Sequence, residues 1–344
     1  MSFVILIPAY KPEQHLVQLV EQLAAACPAP IVIVNDGSPE KHDPIFAALA
    51  HLPRVQILTH AVNQGKGAAL RTGFRHVESL PAEFTCVVTA DADGQHSVKD
   101  ILAVGAAADQ TPEAMIIGAR RFDKDVPAKS MFGNTVTRWV MRLFFGVKLW
   151  DTQTGLRGIP RLLLPDLMAI PFSRYDLEIE MLMVAHHKGV PLREIPIETI
   201  YIESNRGSHY KPVRDSGRVY FVLFRHFLSR LVTALADFLV FILAHALTQQ
   251  ILLSMLLARL VSIPVYYYLL RKWALAPRAK VNQVFAGFAL IAVLAGALTT
   301  WLIPIIICWL SVTPLQAKLI IEVCLYILII LGIKGLNRIK SAAI

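Results

Sequence analysis

Two aspartates separated by one residue follow a short apolar run, in the stretch "CVVTADADGQH". Val87 and Val88 are apolar, and Asp91 and Asp93 come directly after them. Two carboxylates this close repel each other unless a cation lies between them. An Asp-x-Asp pair at a strand end suits a hard divalent cation that keeps water ligands and is shared with substrate phosphates. A simple turn, or a cap on the next helix, is the alternative interpretation.

Polar side chains also end other predicted strands. Tyr10 ends the first apolar run, and Asp36 follows the second. The runs alternate with helix-like segments, which predicts a doubly wound parallel sheet with ligands at the carboxyl ends of its strands. The four polar residues should therefore converge on one crevice. The predicted strands lie in "FVILIPAY" (Phe3 to Tyr10), "PIVIVNDGS" (Pro30 to Ser38), "VQILTH", "FTCVVTADADG" and "AMIIGAR" (Ala114 to Arg120).

Several function classes are disfavoured by the sequence. It has neither a GxGxxG after the first strand nor a GxxxxGK[ST], so hydride transfer and P-loop hydrolysis are not expected. The four scattered cysteines, Cys27, Cys86, Cys308 and Cys324, indicate neither a disulfide framework nor a zinc site. The net charge of +9 is concentrated around the ends of oily segments, which favours membrane headgroups or anionic substrates over nucleic acid.

The composition indicates a membrane protein with two domains. The chain has 344 residues, of which 55% are hydrophobic and 17% charged, and its mean hydropathy is +0.52. The excess of apolar residues lies after about residue 220, whereas the preceding part is typical of a soluble domain. The N-terminal "MSFVILIPAY" has neither a basic leader nor a cleavage site, so a removed signal peptide is not expected.

Four apolar stretches are each close to the length that crosses a bilayer as a helix. Basic residues follow the second and fourth stretches, so the positive-inside rule predicts cytoplasmic termini and two short outer loops, at 248–250 and 311–318. Asp237, Arg259 and Glu322 are costly within such spans and either pair with each other or lie near helix ends at the interface. The predicted spans are about 231–247, 251–270, 284–310 and 319–333.

Six short motifs in order resemble those of inverting family 2 glycosyltransferases, in particular the polyprenyl- and dolichyl-phosphate sugar synthases. The resemblance covers about residues 2–220, and the four-span tail resembles the GtrA-like membrane domain. It implies a GT-A-type, Rossmann-like, mostly parallel sheet followed by an all-α transmembrane bundle. The implied domains are a cytoplasmic glycosyltransferase domain, 1–222, and a membrane domain, 223–344. The motifs are "IPAY", "VIVNDGSPE", "NQGKGAALRTGF", "TADADGQH", "DTQTGLRG" (Asp151 to Gly158) and "NRGSHY" (Asn205 to Tyr210).

The resemblance also implies roles for single residues. Pro8, Tyr10 and Asp36 would hold the nucleobase and ribose, and Lys66 and Asp91 would lie by the ribose and diphosphate. Asp93 and Gln95, with Asp91 shared, would bind Mg²⁺ or Mn²⁺. Asp151 would act at the sugar and acceptor end, with its role as a base left open. The residues implied to clamp the departing diphosphate and the acceptor phosphate are Arg206, Ser208 and His209. "YKPE" stands where many relatives have Tyr-Asn-Glu, so no acidic nucleobase contact is placed on Glu13.

The resulting prediction is a metal-dependent, inverting hexosyltransferase that acts at the cytoplasmic face of the inner membrane. Its donor would be a nucleotide sugar carrying glucose, mannose or N-acetylglucosamine, and its acceptor a polyprenyl phosphate. Transfer to diacylglycerol or another membrane lipid stays open, as does a lipid-carrier module with a degenerate transferase head. A processive synthase is disfavoured because "VTRWV" lacks the glutamine of QxxRW. A homo-oligomer formed through the membrane helices is also left open.

The segment of about residues 131–150 is predicted to form an interfacial amphipathic helix. Its predicted apolar face carries Trp139 beside aliphatic and aromatic neighbours, and Arg138, Arg142 and Lys148 lie elsewhere. Tryptophan and cations together are typical of helices at headgroup level. A buried helix of the soluble core is the alternative. The residues assigned to the apolar face are Val136, Trp139, Val140, Leu143 and Phe144.

Overall fold

The computed structural model describes residues 2–80, 84–120, 128–142, 146–170, 176–198, 212–273 and 278–325, with some side chains inside these ranges left out. By its internal contacts the chain forms two compact units, Met1–Leu223 and Phe224–Ile344. All helices and strands are those of the described residues.

The first unit is built on a mixed sheet, of which seven strands are described. Their order across the sheet is β3-β2-β1-β4-β6-β5-β7. β6 is antiparallel to both of its neighbours, and the other pairs are parallel. The predicted mostly parallel sheet is therefore confirmed. The strands are β1 Phe3–Ala9, β2 Ile31–Asn35, β3 Val55–Thr59, β4 Cys86–Thr89, β5 Met115–Arg120, β6 Arg157–Pro160 and β7 Leu192–Ile197.

Helices cover both faces of this sheet. Side chains of Phe3, Ile5 and Ile7 pack in one core cluster with apolar residues of α1, α2 and α4. The opposite face of β1 carries Leu6, which packs against Gly73 of α3. The alternation of buried residues along β1 is what buries both faces of a central strand. The helices of this part are α1 Gln14–Ala26, α2 Asp43–Ala50, α3 Lys66–Glu78, α4 Val98–Gln110, α5 Ala128–Val140, α6 Leu164–Met168 and α7 Asp176–His187.

The remaining helices are long and apolar. They are α8 Pro212–Thr248, α9 Ile251–Trp273, α10 Arg278–Leu310, and α11, which is described from residue 314 to 325. Among the described residues, three segments are long and apolar enough to cross a membrane: Leu228–Thr248, Ile251–Lys272 and Phe285–Leu310. They coincide closely with the first three predicted spans. The fourth predicted span, 319–333, lies largely outside the described residues.

A cluster of four charged side chains, two of them buried and two partly buried, lies between α8, α9 and α11, and we call it the membrane-unit charge cluster. Asp237 accepts hydrogen bonds from Arg259 (2.8 Å) and Lys318 (2.6 Å). Glu322 lies 3.2 Å from Arg259 and 3.5 Å from Lys318. Asp237 is 1% exposed and Lys318 is fully buried. Two carboxylates and two cations balance, so the three residues singled out in the sequence pair with each other.

The placement of Lys318 corrects one prediction. Hydropathy predicts this residue in the outer loop 311–318, but it lies in α11 and is fully buried. Its ammonium also lies 4.4 Å from the centroid of the Phe241 ring. Hydropathy predicts that a lysine next to an apolar run lies outside the membrane. It cannot detect the partner carboxylate, because Asp237 lies 81 residues away in the sequence.

The residues of the predicted apolar face of the 131–150 segment lie in different environments, and the interfacial position of this segment stays a prediction. Val140 is buried within the unit, whereas Trp139 is 61% exposed. The buried side of α5 carries Asn134 and Thr137, whose side chains make hydrogen bonds to Trp150 and Thr152 of the following loop. Leu143 and Phe144 lie outside the described residues. The spacing of apolar residues does not reveal which side of a helix is buried when that side carries polar residues.

Candidate active site

The carboxyl ends of three adjacent strands place the predicted polar residues at one edge of the sheet. β1 lies between β2 and β4, and both pairs are parallel. Tyr10, Asp36 and Asp91 follow β1, β2 and β4, so these residues all lie at the same edge. β5 has the same direction as β4, because β6 between them is antiparallel to both. Its last residue, Arg120, reaches this edge too. The predicted crevice therefore has four strand ends.

Asp36 is a buried carboxylate that is saturated with hydrogen bonds. The backbone N–H groups of Gln64 (2.9 Å) and Gly65 (2.7 Å) and the Asn63 amide (3.0 Å) donate to it. His60 Nδ1 lies 2.7 Å from Oδ1. A carboxylate offers about four lone-pair positions, so these groups occupy its capacity. In this arrangement Asp36 fixes the segment that leads into α3, and its contact with nucleobase or ribose stays a prediction.

Lys66 is the first residue of α3, and its ammonium joins two carboxylates. It lies 2.5 Å from Asp91 Oδ1 and 2.7 Å from Glu178 Oε1. Its side chain is only 18% exposed. Burial alone would raise the pKa of Asp91, but the charge of Lys66 and the neighbouring His96 hold that pKa below its usual range. Asp91 is therefore a carboxylate at neutral pH.

Asp93 lies in a different environment from Asp91. Partial burial raises its pKa, and the negative charge of Asp91 raises it further. Its Oδ1 accepts a hydrogen bond from the backbone N–H of Gln95 (3.1 Å). The cap of α4 is Ser97, whose hydroxyl accepts from the Asp100 N–H. Neither aspartate of the pair caps the helix, so that alternative is wrong.

His96 lies beside the acidic pair and is buried. Its Nε2 is 3.6 Å from Asp91 Oδ2, and neither ring nitrogen makes a hydrogen bond within the described residues. Among these residues, no group of three or more His, Cys, Asp or Glu side chains is arranged to hold a metal ion. Two carboxylates and one amide suit Mg²⁺ or Mn²⁺ only if substrate phosphates and water complete the ligand set.

Gly155 allows the Asp91 carboxylate to approach the loop before β6. A Cβ atom at position 155 would lie 2.6 Å from both Asp91 carboxylate oxygens. The hydroxyl of Thr89 donates to the Gly155 carbonyl (2.7 Å) and keeps this backbone in place. A side chain at position 155 would therefore displace the carboxylate rather than the loop.

We expect Gly155→Ala to weaken divalent-cation binding about tenfold with little loss of thermal stability, because a displaced ligand costs metal affinity. Mn²⁺ affinity, measured by the loss of the free-ion electron paramagnetic resonance signal, checks this. Gly217→Ala is the control, since a Cβ atom there meets no atom within 4 Å. Equal Mn²⁺ affinities of the two variants would contradict the expectation.

Asp151 is fully buried and bound to Arg120. Arg120 Nε lies 2.6 Å from Oδ2, and Nη2 lies 3.2 Å from Oδ1. The Gln153 N–H donates to Oδ1 (2.9 Å). A bidentate arginine holds the Asp151 carboxylate in one orientation. The catalytic role of Asp151 stays a prediction.

The loop that carries Asp151 is held by hydrogen bonds from two sides. Asn134 of α5 donates to the Trp150 carbonyl (2.9 Å) and accepts from the Thr152 N–H (3.1 Å). From β7, Glu194 accepts from the N–H groups of Trp150 (2.7 Å) and Asp151 (2.9 Å). Burial raises the pKa of Glu194. These contacts hold the loop at the edge of the sheet.

Arg157 is a buried cation that binds backbone carbonyls. It donates to the carbonyls of Thr152 (3.2 Å), Thr154 (3.0 Å) and Glu178. Burial lowers its pKa, whereas the charges of Glu178, Asp151 and Asp91 oppose that change. Its guanidinium thus joins the start of α7 to the turn that contains Gly155.

Other predicted site residues fall in three groups. Pro8 is buried in β1 beside Val34, and Tyr10 is half-buried with the Lys11 ammonium 5.1 Å from its ring centroid. Gln95 follows Asp93 in the turn before α4. The third group, Arg206, Ser208 and His209, lies outside the described residues.

Sequence reasoning missed several residues at this edge. Arg120 ends a predicted strand, so its position could have marked it as a site residue. His60 also directly follows a predicted strand. Glu178 lies in the first turn of α7, and Arg157 is the first residue of an antiparallel strand. Arg157 lies within the quoted motif "DTQTGLRG", which could have marked it, whereas nothing in the spacing marks Glu178.

Comparison with known proteins agrees with this geometry. Residues 4–160 match the family described as Glycosyl transferase family 2. An uncharacterised protein of Methanocaldococcus jannaschii is 31% identical over 207 residues, which cover 58% of this chain and 82% of that protein. The chain belongs to glycosyl transferase family 2. The matched residues of this glycosyltransferase contain β1 from its second residue, β2 to β6 and the Asp91–Asp93 pair.

A relative with a specified activity covers a similar share of the chain. The UDP-N-acetylglucosamine–dolichyl-phosphate N-acetylglucosaminyltransferase of Methanococcus voltae is 29% identical over 217 residues, covering 58% of this glycosyltransferase and 86% of that enzyme. Among solved structures, glucosyl-3-phosphoglycerate synthase from Mycobacterium tuberculosis matches with a TM-score of 0.50 at 14% identity. That match covers 67% of this chain and 79% of the other and concerns the fold.

Proposed function

We propose that the protein transfers one hexosyl group from a nucleotide-diphosphate sugar to a polyprenyl phosphate, with inversion at the anomeric carbon. The observation that carries the proposal is the acidic pair Asp91–Asp93 beside Lys66, in a chain that also holds membrane-length apolar helices. The dolichyl-phosphate specificity of the Methanococcus voltae relative supports the acceptor class. Glucose, mannose and N-acetylglucosamine are all compatible with this proposal as the sugar of the donor.

Asp93, Asp91 and Gln95 are the residues that would hold Mg²⁺ or Mn²⁺. The mutual effect of the two carboxylates supports this assignment, because the charge of Asp91 raises the pKa of Asp93. A cation shared by both would favour the ionised forms. When bound, it neutralises charge on the leaving diphosphate. The Mycobacterium tuberculosis synthase was crystallised with Mn²⁺ and UDP, which agrees with a divalent ion in this fold.

The chain's own residues would act around the reacting atoms as follows. An acceptor phosphate oxygen attacks the anomeric carbon, and the bond from that carbon to the diphosphate breaks. A phosphate monoester is largely ionised at neutral pH, with a second pKa of about 6, so little base assistance is needed. Asp151 would stabilise positive charge at the anomeric carbon while Arg120 holds its carboxylate in place. Lys66 would bind the diphosphate.

A donor and acceptor panel tests the proposal. Full-length protein in nanodiscs would receive labelled UDP-glucose, UDP-N-acetylglucosamine or GDP-mannose, with undecaprenyl phosphate or diacylglycerol and Mg²⁺ or Mn²⁺. Label in the lipid phase with undecaprenyl phosphate, abolished by EDTA, is the expected result. Label only with diacylglycerol would replace the acceptor class, and no labelled lipid with any donor would overturn the proposal.

The proposed location is the cytoplasmic face of the inner membrane, in a multi-pass protein with cytoplasmic termini. An exposed surface of the first unit, formed by Met131, Trp139 and Trp150 with Arg138 and Arg142, fits headgroup contact. Trp139 is 61% and Trp150 69% exposed, and the Arg138 guanidinium lies 5.2 Å from the Trp150 ring centroid. Tryptophan beside arginine suits the polar boundary of a bilayer. A GtrA-type role for the membrane helices and their self-association stay predictions.

We expect the double variant Trp139→Ala/Trp150→Ala to raise the KM for undecaprenyl phosphate about fivefold and to leave the KM for the nucleotide sugar unchanged. Lost interfacial contact reduces presentation of the lipid but not binding of the nucleotide. Steady-state kinetics in nanodiscs checks this. Leu162→Ala, another exposed apolar residue of this unit, is the control. Equal effects on both KM values would contradict headgroup contact.

A further inference from the structure

We propose that Glu178 is a positioning residue that holds the Lys66 ammonium beside Asp91, where it meets the diphosphate of the nucleotide sugar. This inference rests on the proposed function, which supplies the diphosphate. It adds a residue that has no motif of its own and lies on α7, more than a hundred residues from Lys66 in the sequence.

The geometry around Lys66 favours a shared ion pair. A lysine ammonium is a compact charge on a flexible four-carbon stem, so it needs external contacts to occupy one position. Glu178 Oε1 lies 2.7 Å from it, and Asp91 Oδ1 lies 2.5 Å from it on another side. The Glu178 side chain is 9% exposed, so this contact is largely shielded from water and salt.

The Glu178 carboxylate is itself held in place through its backbone. Its carbonyl accepts a hydrogen bond from Arg157, whose guanidinium also binds the carbonyls of Thr152 and Thr154. The next residue, Gly155, packs directly against Asp91. The two carboxylates that bind Lys66 are therefore both set by the turn at residues 152–155. This turn sets the distance between the two carboxylates, and that distance sets the position of the Lys66 ammonium.

Charge excludes Glu178 as a direct diphosphate ligand, because a carboxylate and a diphosphate repel each other. Its effect on the donor must therefore pass through a cation. The Glu178 carboxylate contacts the Lys66 ammonium. A glutamine at 178 has a similar shape but no charge, so Lys66 would lose this charged contact while its contact with Asp91 remains.

A double-mutant cycle on nucleotide affinity tests the inference. Calorimetry would measure the Kd of UDP and GDP for full-length protein in nanodiscs, in wild type, Glu178→Gln, Lys66→Met and the double variant. We expect Glu178→Gln to raise the Kd about tenfold in wild type and to have little further effect once Lys66→Met is present. Glu178→Asp, which keeps the charge on a shorter stem, should raise it less.

Other outcomes overturn the inference. If the effects of Glu178→Gln and Lys66→Met simply multiply, Glu178 does not act through Lys66. If the effect of Glu178→Gln requires Mn²⁺, Glu178 serves the metal instead. Asp166→Asn is the matched control, because Asp166 pairs with Lys188 (2.8 Å) at a partly exposed position and should leave the Kd unchanged.

Two measurements separate a folding defect and a failure of the proposed function. Thermal unfolding of each variant identifies loss of fold. If Glu178→Gln does not fold, Glu178→Asp replaces it in the cycle. An effect of Glu178→Asp on the Kd that is independent of Lys66 would then overturn the inference. Wild-type protein that binds neither UDP nor GDP overturns the proposed function itself. If wild-type protein binds UDP or GDP but the effects of Glu178→Gln and Lys66→Met on the Kd multiply, only the role of Glu178 is overturned.

Discussion

Asp93→Asn is expected to lower hexosyl transfer about 10³-fold, because it would remove a charged ligand of the proposed metal site and with it the neutralisation of the leaving diphosphate. Asn keeps the size of the side chain and an oxygen that can accept the Gln95 N–H, which Asp93 binds at 3.1 Å. The turn should therefore persist, and thermal stability should change little. Release of nucleoside diphosphate at saturating Mg²⁺ or Mn²⁺ measures the effect.

The control for this prediction is Asp109→Asn. Asp109 lies at the opposite edge of the sheet. It accepts hydrogen bonds from the Thr85 hydroxyl (2.8 Å), just before β4, and from the Ser2 N–H (3.2 Å), just before β1. The same chemical change there should leave the transfer rate within a factor of about two, as expected of a distant independent site. Wild-type turnover by Asp93→Asn, or turnover of the wild type that EDTA does not affect, would rule out the proposed metal site.

Lys318→Met is expected to reduce the free energy of unfolding of the membrane unit by about 3–5 kcal/mol, the usual cost of breaking a buried ion pair by removing one partner. The variant removes one of the two cations that bind Asp237, a carboxylate that is only 1% exposed. Asp237→Asn should be comparably destabilising, because Lys318 is then left with Glu322 at 3.5 Å. Unfolding in mixed detergent micelles measures both.

The double variant Lys318→Met/Asp237→Asn should be less destabilised than the sum of the single variants, because it removes both charges together. Lys272→Met is the control. Lys272 is exposed at the end of α9, with its ammonium 5.6 Å from the ring centroid of Tyr268. If Lys318→Met and Lys272→Met unfold alike, the membrane-unit charge cluster does not stabilise the bundle.

The sequence predicted the part of the fold that depends on local pattern. β1 to β5 are short apolar runs, and the polar residues that follow them lie at one edge of the sheet, as parallel pairing requires. β6 was not predicted as a strand, because its four residues, "RGIP", lack an apolar run. β7 reads "LREIPI", and its mixed pattern and internal proline conceal it. Three membrane-length helices were predicted from hydropathy alone.

The candidate site was only partly predictable, because its charge partners come from distant segments. Asp91 was recognised from its motif, but its pairing with Lys66 and Glu178 depends on where α3 and α7 pack. Asp151 was assigned from a resemblance, and its bidentate contact with Arg120 bears on its suitability as a base. Asp36 was assigned to the nucleotide, whereas its visible hydrogen bonds hold the loop before α3. Residue type indicates possible chemistry, and packing decides which partner uses it.

The membrane-unit charge cluster also has a consequence for biosynthesis. A chain is made from its N-terminus, so α8 and α9 emerge before α11. A lone lysine or aspartate at the centre of a helix costs about 2.5–3.5 kcal/mol on insertion. Lys318 and Glu322, near the start of α11, would carry part of this cost until Asp237 and Arg259 neutralise them. We therefore expect α11 to enter the bilayer only against helices already there, and shortened chains that lack α8 should leave it outside.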